Sequence, residues 1–250
     1  MKKKVVHDPG HVGHDSGAVG PTGVQERDIA LPVARGVADI LQPVMEVRLT
    51  REDDRSRWLT LNADLTDRAD AANDWGADCF ISIHCNAAAD GTAHGCEVWT
   101  SRGQTGGDIL AEAVLQSLRA EFPDMTFRMD MADGDSDKEA GFAVLARTRM
   151  PAALVELAFI SNPTEEAMLE SQAYQDRAAR AIAQGIADYL GVQLPAPAPA
   201  DPDAVRINIG GHLLEGKLID GRSWAPVRAM AEALGRTVGW DEAARTVTIK

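Results

Sequence analysis

Apolar and polar positions along the chain fall into two alternating patterns. Short apolar runs have the length and β-branched content of strands: "KVV" near the start, "VMEVRLT" at 44–50, "CFISIHC" at 79–85, "GCEVWT" at 95–100 and "AALVELAF" at 152–159. Between them, 26–41, 59–75, 107–121 and 174–190 carry apolar residues at helical spacing. This alternation predicts an α/β domain, a twisted, largely parallel or mixed sheet flanked by helices, with a site at the carboxyl ends of its strands. The pattern stops at "GVQLPAPAPADPDA", 191–204, where prolines and alanines leave little to pack, and the segment reads as an extended linker. The expected organisation is a main domain over 1–191, a linker over 192–203 and a small α+β module over 204–250. In that module the pattern predicts two or three short strands, a helix over 226–235 and two strands closing around "WDEAAR".

Composition narrows the partners. With 250 residues and 45% hydrophobic side chains, the chain can bury one substantial core and one small extra unit. Thirty-eight acidic against 25 basic residues give a net charge of -13, which argues against nucleic acid or an anionic membrane surface as partner. The three cysteines, Cys79, Cys85 and Cys96, form neither a disulfide framework nor a Cys-x-x-Cys pair. No run reaches the roughly 18 apolar residues of a membrane span, so no membrane insertion is expected. "MKKK" is followed by "VVHDPGH" rather than by an apolar signal core, which predicts synthesis in the cytoplasm without a signal peptide.

Candidate chemistry crowds into "KKVVHDPGHVGHDSGAVGPTGVQERDIAL", where three histidines, three aspartates and a glutamate precede residue 29. Pro-Gly turns the chain at the end of the first strand and puts His11 at the sheet's edge. "CFISIHCNA" carries His84 on the face opposite Cys79, Ile81 and Ile83, and sends Cys85 to the other side to pack inside. Glu26 lies where the chain turns into a helix, and Glu156 ends the apolar run "ALVE", a costly place for an unpaired carboxylate. Histidines in polar loops are mostly solvated, and His7, His14 and His94 read so. Glu26 is equally well an ordinary first-turn glutamate favoured by the helix dipole. Two histidines and a glutamate from separate strand ends, with a second glutamate, are the inventory of a catalytic zinc site. They are not a local signature, and the residues alone leave both a metal site and a polar rim open.

The motifs "DPGHVGHDSGAVGPTGVQERDIAL", "RLTREDD", "DRADAANDWGADCFISIHCNA" and "MPAALVELAFISNP" make residues 4–190 resemble the zinc-dependent N-acetylmuramoyl-L-alanine amidases of the type 3 amidase family. The resemblance implies that His11, Glu26 and His84 ligate one Zn2+ and that Glu156 is the catalytic carboxylate. It also implies peptidoglycan as substrate, cut between N-acetylmuramic acid and L-alanine. Asp8 and Asn86 adjoin ligands and are either their orienting partners or turn-forming side chains; Arg68 reads as structural, and Arg51 stays open. Ala158 replaces a usual glycine, and Val12 stands where glycine is common. The acidic stretch 128–142 reads as an exposed loop near the cleft that tunes the stem peptide accepted. Some Gram-negative relatives carry an inserted helix that plugs the zinc site; no such insertion is seen, and constitutive activity is expected.

The tail, through "IDGRSWAPVRAMAEALG" and "VGWDEAARTVTI", resembles one unit of the copper amine oxidase N-terminal-like domain. His212 cannot make a copper site alone and reads as an exposed loop residue, while Trp224 and Trp240 read as core rather than a sugar-stacking surface. Wall attachment and a homodimer are both open uses. A leaderless wall hydrolase with such a module resembles a phage or prophage endolysin, acting on the wall after release, with a sporulation enzyme as the alternative. A noncatalytic wall-binding or regulatory protein on this scaffold would be expected to lose a ligand or Glu156, and none is lost.

Overall fold

The first unit of the computed structural model is organised around six strands: β1 (Lys4–Pro9), β2 (Glu46–Leu49), β3 (Cys79–Asn86), β4 (Glu97–Thr100), β5 (Lys138–Glu139) and β6 (Ala152–Phe159). They line up as β2-β1-β3-β6-β4-β5, and every pair is parallel except β4 with β6. The helices are α1 (Glu26–Leu41), α2 (Leu61–Trp75), α3 (Gly106–Glu121), α4 (Ala143–Arg147), α5 (Pro163–Leu169) and α6 (Gln172–Leu190). The structure describes residues 2–58, 60–132, 134–196, 204–209, 212–241 and 245–250. The chain divides into two units, Met1–Leu194 and Pro195–Lys250.

Period-2 alternation along the strands feeds two unequal layers. One face carries Ile81, Ile83, Val155 and Leu157 against Val33 and Val37 of α1, Val114 and Leu118 of α3, and Ile182 and Ile186 of α6. That is the main core. The other face carries Val6, Phe80 and Leu154 against Ala72 of α2 and Val144 and Leu145 of α4. This layer is thinner, and a cavity of about 430 Å³ opens in it beside the carboxyl ends of β1 and β3. Helix ends follow local chemistry: Thr60 caps α2 by accepting from the Ala63 amide, and Gly76 closes it in the left-handed conformation. Thr105 and Asp108 form a reciprocal capping box at α3.

The structure corrects several readings. β1 runs on to Pro9, so His7 is no solvated loop residue: it occupies an inward position two after Val5, is fully buried, and has no hydrogen-bond partner on either ring nitrogen. Burial alone drives its imidazolium pKa down to about 3. His14 and His94 are exposed. The 128–142 stretch is not wholly exposed, since it contributes β5 and the buried Asp137. Val192 and Leu194, expected in the linker, pack against the main core; 197–203 lie outside the described residues.

The second unit pairs β7 (Ala204–Ile209), β8 (His212–Ile219) and β9 (Arg222–Trp224) in an antiparallel sheet. After it come α7 (Val227–Ala233) and the antiparallel pair β10 (Val238–Asp241) and β11 (Thr246–Ile249). His212 opens a strand rather than lying in a loop. Trp224 and Trp240 are not core: they are 56% and 52% exposed, because so short a chain cannot wrap a layer over both. No helix among the described residues is long and apolar enough to cross a membrane.

The contact of α6 with α3 at Gly185 yields a test of this packing. A Cβ on Gly185 of α6 would sit 2.5 Å from the Val114 Cα of α3, backbone that cannot swing aside. Gly185→Ala therefore destabilises the first unit by about 1–3 kcal/mol through overpacking, outweighing the roughly 1 kcal/mol that alanine gains in helix propensity. Urea unfolding reads the sign; a stabilised variant would show that the two helices part freely.

Candidate active site

The turn after β1 is built by backbone constraint. A Cβ on Gly10 would lie 2.3 Å from the His84 ring, so only glycine lets this loop pass over that imidazole. His11 follows in the left-handed region, with φ of 60°, a conformation that costs a non-glycine residue on the order of 1–2 kcal/mol. Two buried arginines hold it there. Arg51 donates from Nε to the Pro9 carbonyl at 3.0 Å and from Nη2 to the Gly10 carbonyl at 2.9 Å. Arg68 donates to the Pro9 carbonyl at 2.7 Å and to the His11 carbonyl at 3.2 Å. Arg51, left open from sequence, thus has the same task as Arg68. Burial, aided by the Arg68 charge, lowers its pKa to about 10.

Asp8 anchors this arrangement. Its carboxylate accepts from Arg68 at 2.8 Å, Thr50 at 2.6 Å and Ser82 at 2.7 Å. Burial by itself would raise the Asp8 carboxyl, but the Arg68 charge and the hydroxyl donors outweigh it and hold the group below the usual range. Asp8 therefore touches neither histidine ring; it fixes the arginine that fixes the turn.

His11, Glu26 and His84 come together from the turn after β1, the start of α1 and β3, with one donor atom of each within 4.8 Å of the others. The Glu26 carboxylate, 4% exposed, lies 3.1 Å from His11 Nε2 and 2.8 Å from His84 Nδ1. It also accepts from the Ala18 amide at 2.9 Å and the Cys85 amide at 3.0 Å. Burial would raise the Glu26 carboxyl, yet the two imidazoles pull it well below the carboxylate range. Burial likewise opposes charge on His11, but Glu26 and Asp15 raise its pKa to about 9. Two imidazoles and a carboxylate, converging at the edge of a cavity with this attraction for positive charge, suit a divalent cation of intermediate softness.

Glu156 sits beside this cluster, opposite His84 in register, and lines the same cavity. Its Oε2 has no hydrogen-bond partner. Burial, followed by the Glu26 and Glu97 charges, raises its pKa to about 7 against the opposing pull of His84. Leu61, Leu65, Phe142 and Val144 form an apolar wall of the cavity. Cys85 is buried and belongs to the main core, while its amide faces Glu26.

Two residues that sequence reasoning passed over matter here. Asp15 lies 2.9 Å from His11 Nδ1 and sets that ring's orientation; inside an irregular loop, no periodicity marks it. Glu97 is the register partner of Glu156 on the other side, and a lone carboxylate in an apolar strand was its available signal. Asn86 donates to Glu97 at 3.0 Å rather than serving a histidine. A clamp completes the loop: the buried Glu166 of α5 accepts from the Thr22 amide at 3.0 Å and the Thr22 hydroxyl at 2.9 Å.

Residues 5–188 match the family described as N-acetylmuramoyl-L-alanine amidase, and residues 214–250 match the copper amine oxidase N-terminal domain. The chain is 29% identical over 227 residues to N-acetylmuramoyl-L-alanine amidase AmiA of Escherichia coli, covering 76% of each. It is 34% identical over 202 residues to the endolysin of Bacillus phage SPP1, covering 77% of this chain and 68% of that protein. The solved catalytic domain of CwlV, the N-acetylmuramoyl-L-alanine amidase of Bacillus (Paenibacillus) polymyxa, aligns with a TM-score of 0.68 and 34% identity over 76% of this chain and 99% of that one. With the family match spanning nearly all of the first unit, this chain belongs to the N-acetylmuramoyl-L-alanine amidase family.

Proposed function

We propose that this chain is a zinc-dependent N-acetylmuramoyl-L-alanine amidase, hydrolysing the amide between the lactyl group of N-acetylmuramic acid and L-alanine of the stem peptide. The observation that carries the reading is the convergence of His11, Glu26 and His84 donor atoms beside the unpartnered Glu156 carboxyl in one cavity. His11, Glu26 and His84 would hold one Zn2+. When bound, zinc supplies Lewis-acid polarisation of the scissile carbonyl and lowers the pKa of the attacking water toward about 7.

The chain's own residues supply the rest. Glu156 takes the proton of the attacking water on its free Oε2 and returns it to the departing amine of L-alanine. A pKa raised to about 7 suits a group that must both accept and donate near neutrality. Asp15 keeps His11 oriented, and the apolar wall of Leu61, Leu65 and Phe142 limits water around the scissile bond. Arg51 and Arg68 hold the turn that presents His11.

Likeness to the phage SPP1 endolysin supports a role in degrading bacterial cell wall as a phage or prophage endolysin. Pro195–Lys250, with its exposed tryptophans, is read as a docking module for a wall polymer or for a second copy of the chain. The intact set of ligands and Glu156 favours catalysis over a noncatalytic wall-binding protein.

Release of stem-peptide amino termini from purified walls tests the reading. Chelation abolishes release, zinc restores it, and Glu156→Gln lowers it by about 10²–10⁴-fold while keeping metal content. Walls bound without new amino termini under any metal condition would leave a binding protein only.

The raised Glu156 pKa also sets a stability signature in the metal-free protein. The unfolded carboxyl loses its proton near 4.5, whereas the folded one keeps it to about 7. The folded state binds more protons in that window, so this group's contribution to stability falls as pH rises through it, by on the order of 1–3 kcal/mol. Glu156→Gln removes that fall. Urea unfolding of chelated protein at about pH 5 and 7.5 reads it; a native-to-variant difference that stays constant with pH contradicts the assignment.

A further inference from the structure

Beyond Glu156 the same face of the sheet continues to a group the hydrolytic step does not use. His84, Glu156 and Glu97 are register partners across β3, β6 and β4, so they stand in one row on one face. Glu97 is 2% exposed and accepts from four side chains. Asn86 and Trp99 donate to Oε2 at 3.0 and 3.1 Å; Arg128 Nε and Lys138 Nζ lie 2.5 and 3.1 Å from Oε1. One carboxylate here faces two cations, with Arg128 lying over the Phe159 ring at 5.2 Å and Lys138 over the Trp99 ring at 4.5 Å, so carboxylate charge at this spot falls one short of the cationic charge. Arg128 engages Glu97 through Nε alone. Among the described residues no acceptor meets its two terminal nitrogens, and its side chain is 44% exposed.

We propose that Arg128 and Lys138, gathered by Glu97, form the subsite for a carboxylate of the leaving stem peptide, a specificity determinant resting on the amidase reading above. Direction supports it. The departing amine takes its proton from Glu156, and the register partner of Glu156 on the β4 side is Glu97 with its two cations. Distance supports it as well. Glu97 is two strand spacings from His84, about 10 Å, and two extended residues span about 7 Å, so the residue after L-alanine comes within reach of the long Arg128 and Lys138 side chains. In peptidoglycan that residue is D-glutamate joined through its γ-carboxyl, and its α-carboxyl is free in some walls and amidated in others. A guanidinium with two terminal N–H donors on one edge matches a free carboxylate in a two-point contact and not an amide.

The test uses the zinc-loaded full chain and two muramyl tripeptides identical except that the α-carboxyl of D-glutamate is free or amidated. The native protein prefers the free carboxylate by about tenfold in kcat/KM. Arg128→Gln and Lys138→Met each bring that ratio toward one, and Arg128→Lys, which keeps charge but loses the fork, falls between. A native ratio near one, or a ratio unmoved by both charge-removing variants, overturns the subsite while leaving the amidase reading standing. Cleavage of neither substrate by native protein overturns the amidase reading instead. Calorimetric binding of the two released tripeptides then repeats the comparison without turnover, and equal affinities there overturn the subsite.

Discussion

The Glu26 carboxylate is buried without losing its charge, and the rest of the site is arranged around that requirement. An isolated carboxylate in such a place would cost several kcal/mol. Here two amides, from Ala18 and Cys85, and two imidazoles, from His11 and His84, compensate it. Those four groups come from the loop after β1 and from β3, while Glu26 itself opens α1. One side chain therefore fixes the mutual position of three segments. Because the compensation is cationic in character, the same geometry that makes the carboxylate tolerable prepares a place for a positively charged ligand.

The two layers divide the labour of the domain. Behind the sheet, α1, α3 and α6 bury the larger share of the apolar side chains. In front, α2 and α4 cover less, and the gap becomes the cavity. The polar set around Asp8 and Arg68, buried in the front layer near the turn, is joined by hydrogen bonds among its own members. Burying a charge pair there is poor economy for stability alone; its effect is to hold His11 in a backbone conformation it would otherwise leave.

Much of this was readable in the chain. Long elements with strong periodicity, such as 26–41 and 174–190, fall where α1 and α6 lie, and the strand at 79–85 alternates as its pattern requires. Elements too short for a period, β5, α4 and α5, left no signal. His7 was misread because its neighbours Asp8 and Pro9 look like loop residues; only the pairing with β2 and β3 shows that the strand continues. The tryptophans of the second unit were misread by expecting a closed core where the chain is too short for one. At the site, His11, Glu26, His84 and Glu156 stood out as charged or titratable residues at strand and helix ends. Asp15 and Glu97 act through tertiary contacts that no spacing encodes, and the open question about Arg51 needed the position of three carbonyls.

The Thr22–Glu166 clamp joins residues 144 apart in sequence. During synthesis His11 and Glu26 leave the ribosome early, and Arg51 and Arg68 can fasten the turn soon after, but the Glu166 carboxylate that accepts from Thr22 does not exist until α5 is made. The loop that carries His11 therefore closes in two stages, and a nascent chain ending before Glu166 holds His11, Glu26, His84 and Glu156 with the turn fastened by the arginines and the Thr22 end still loose.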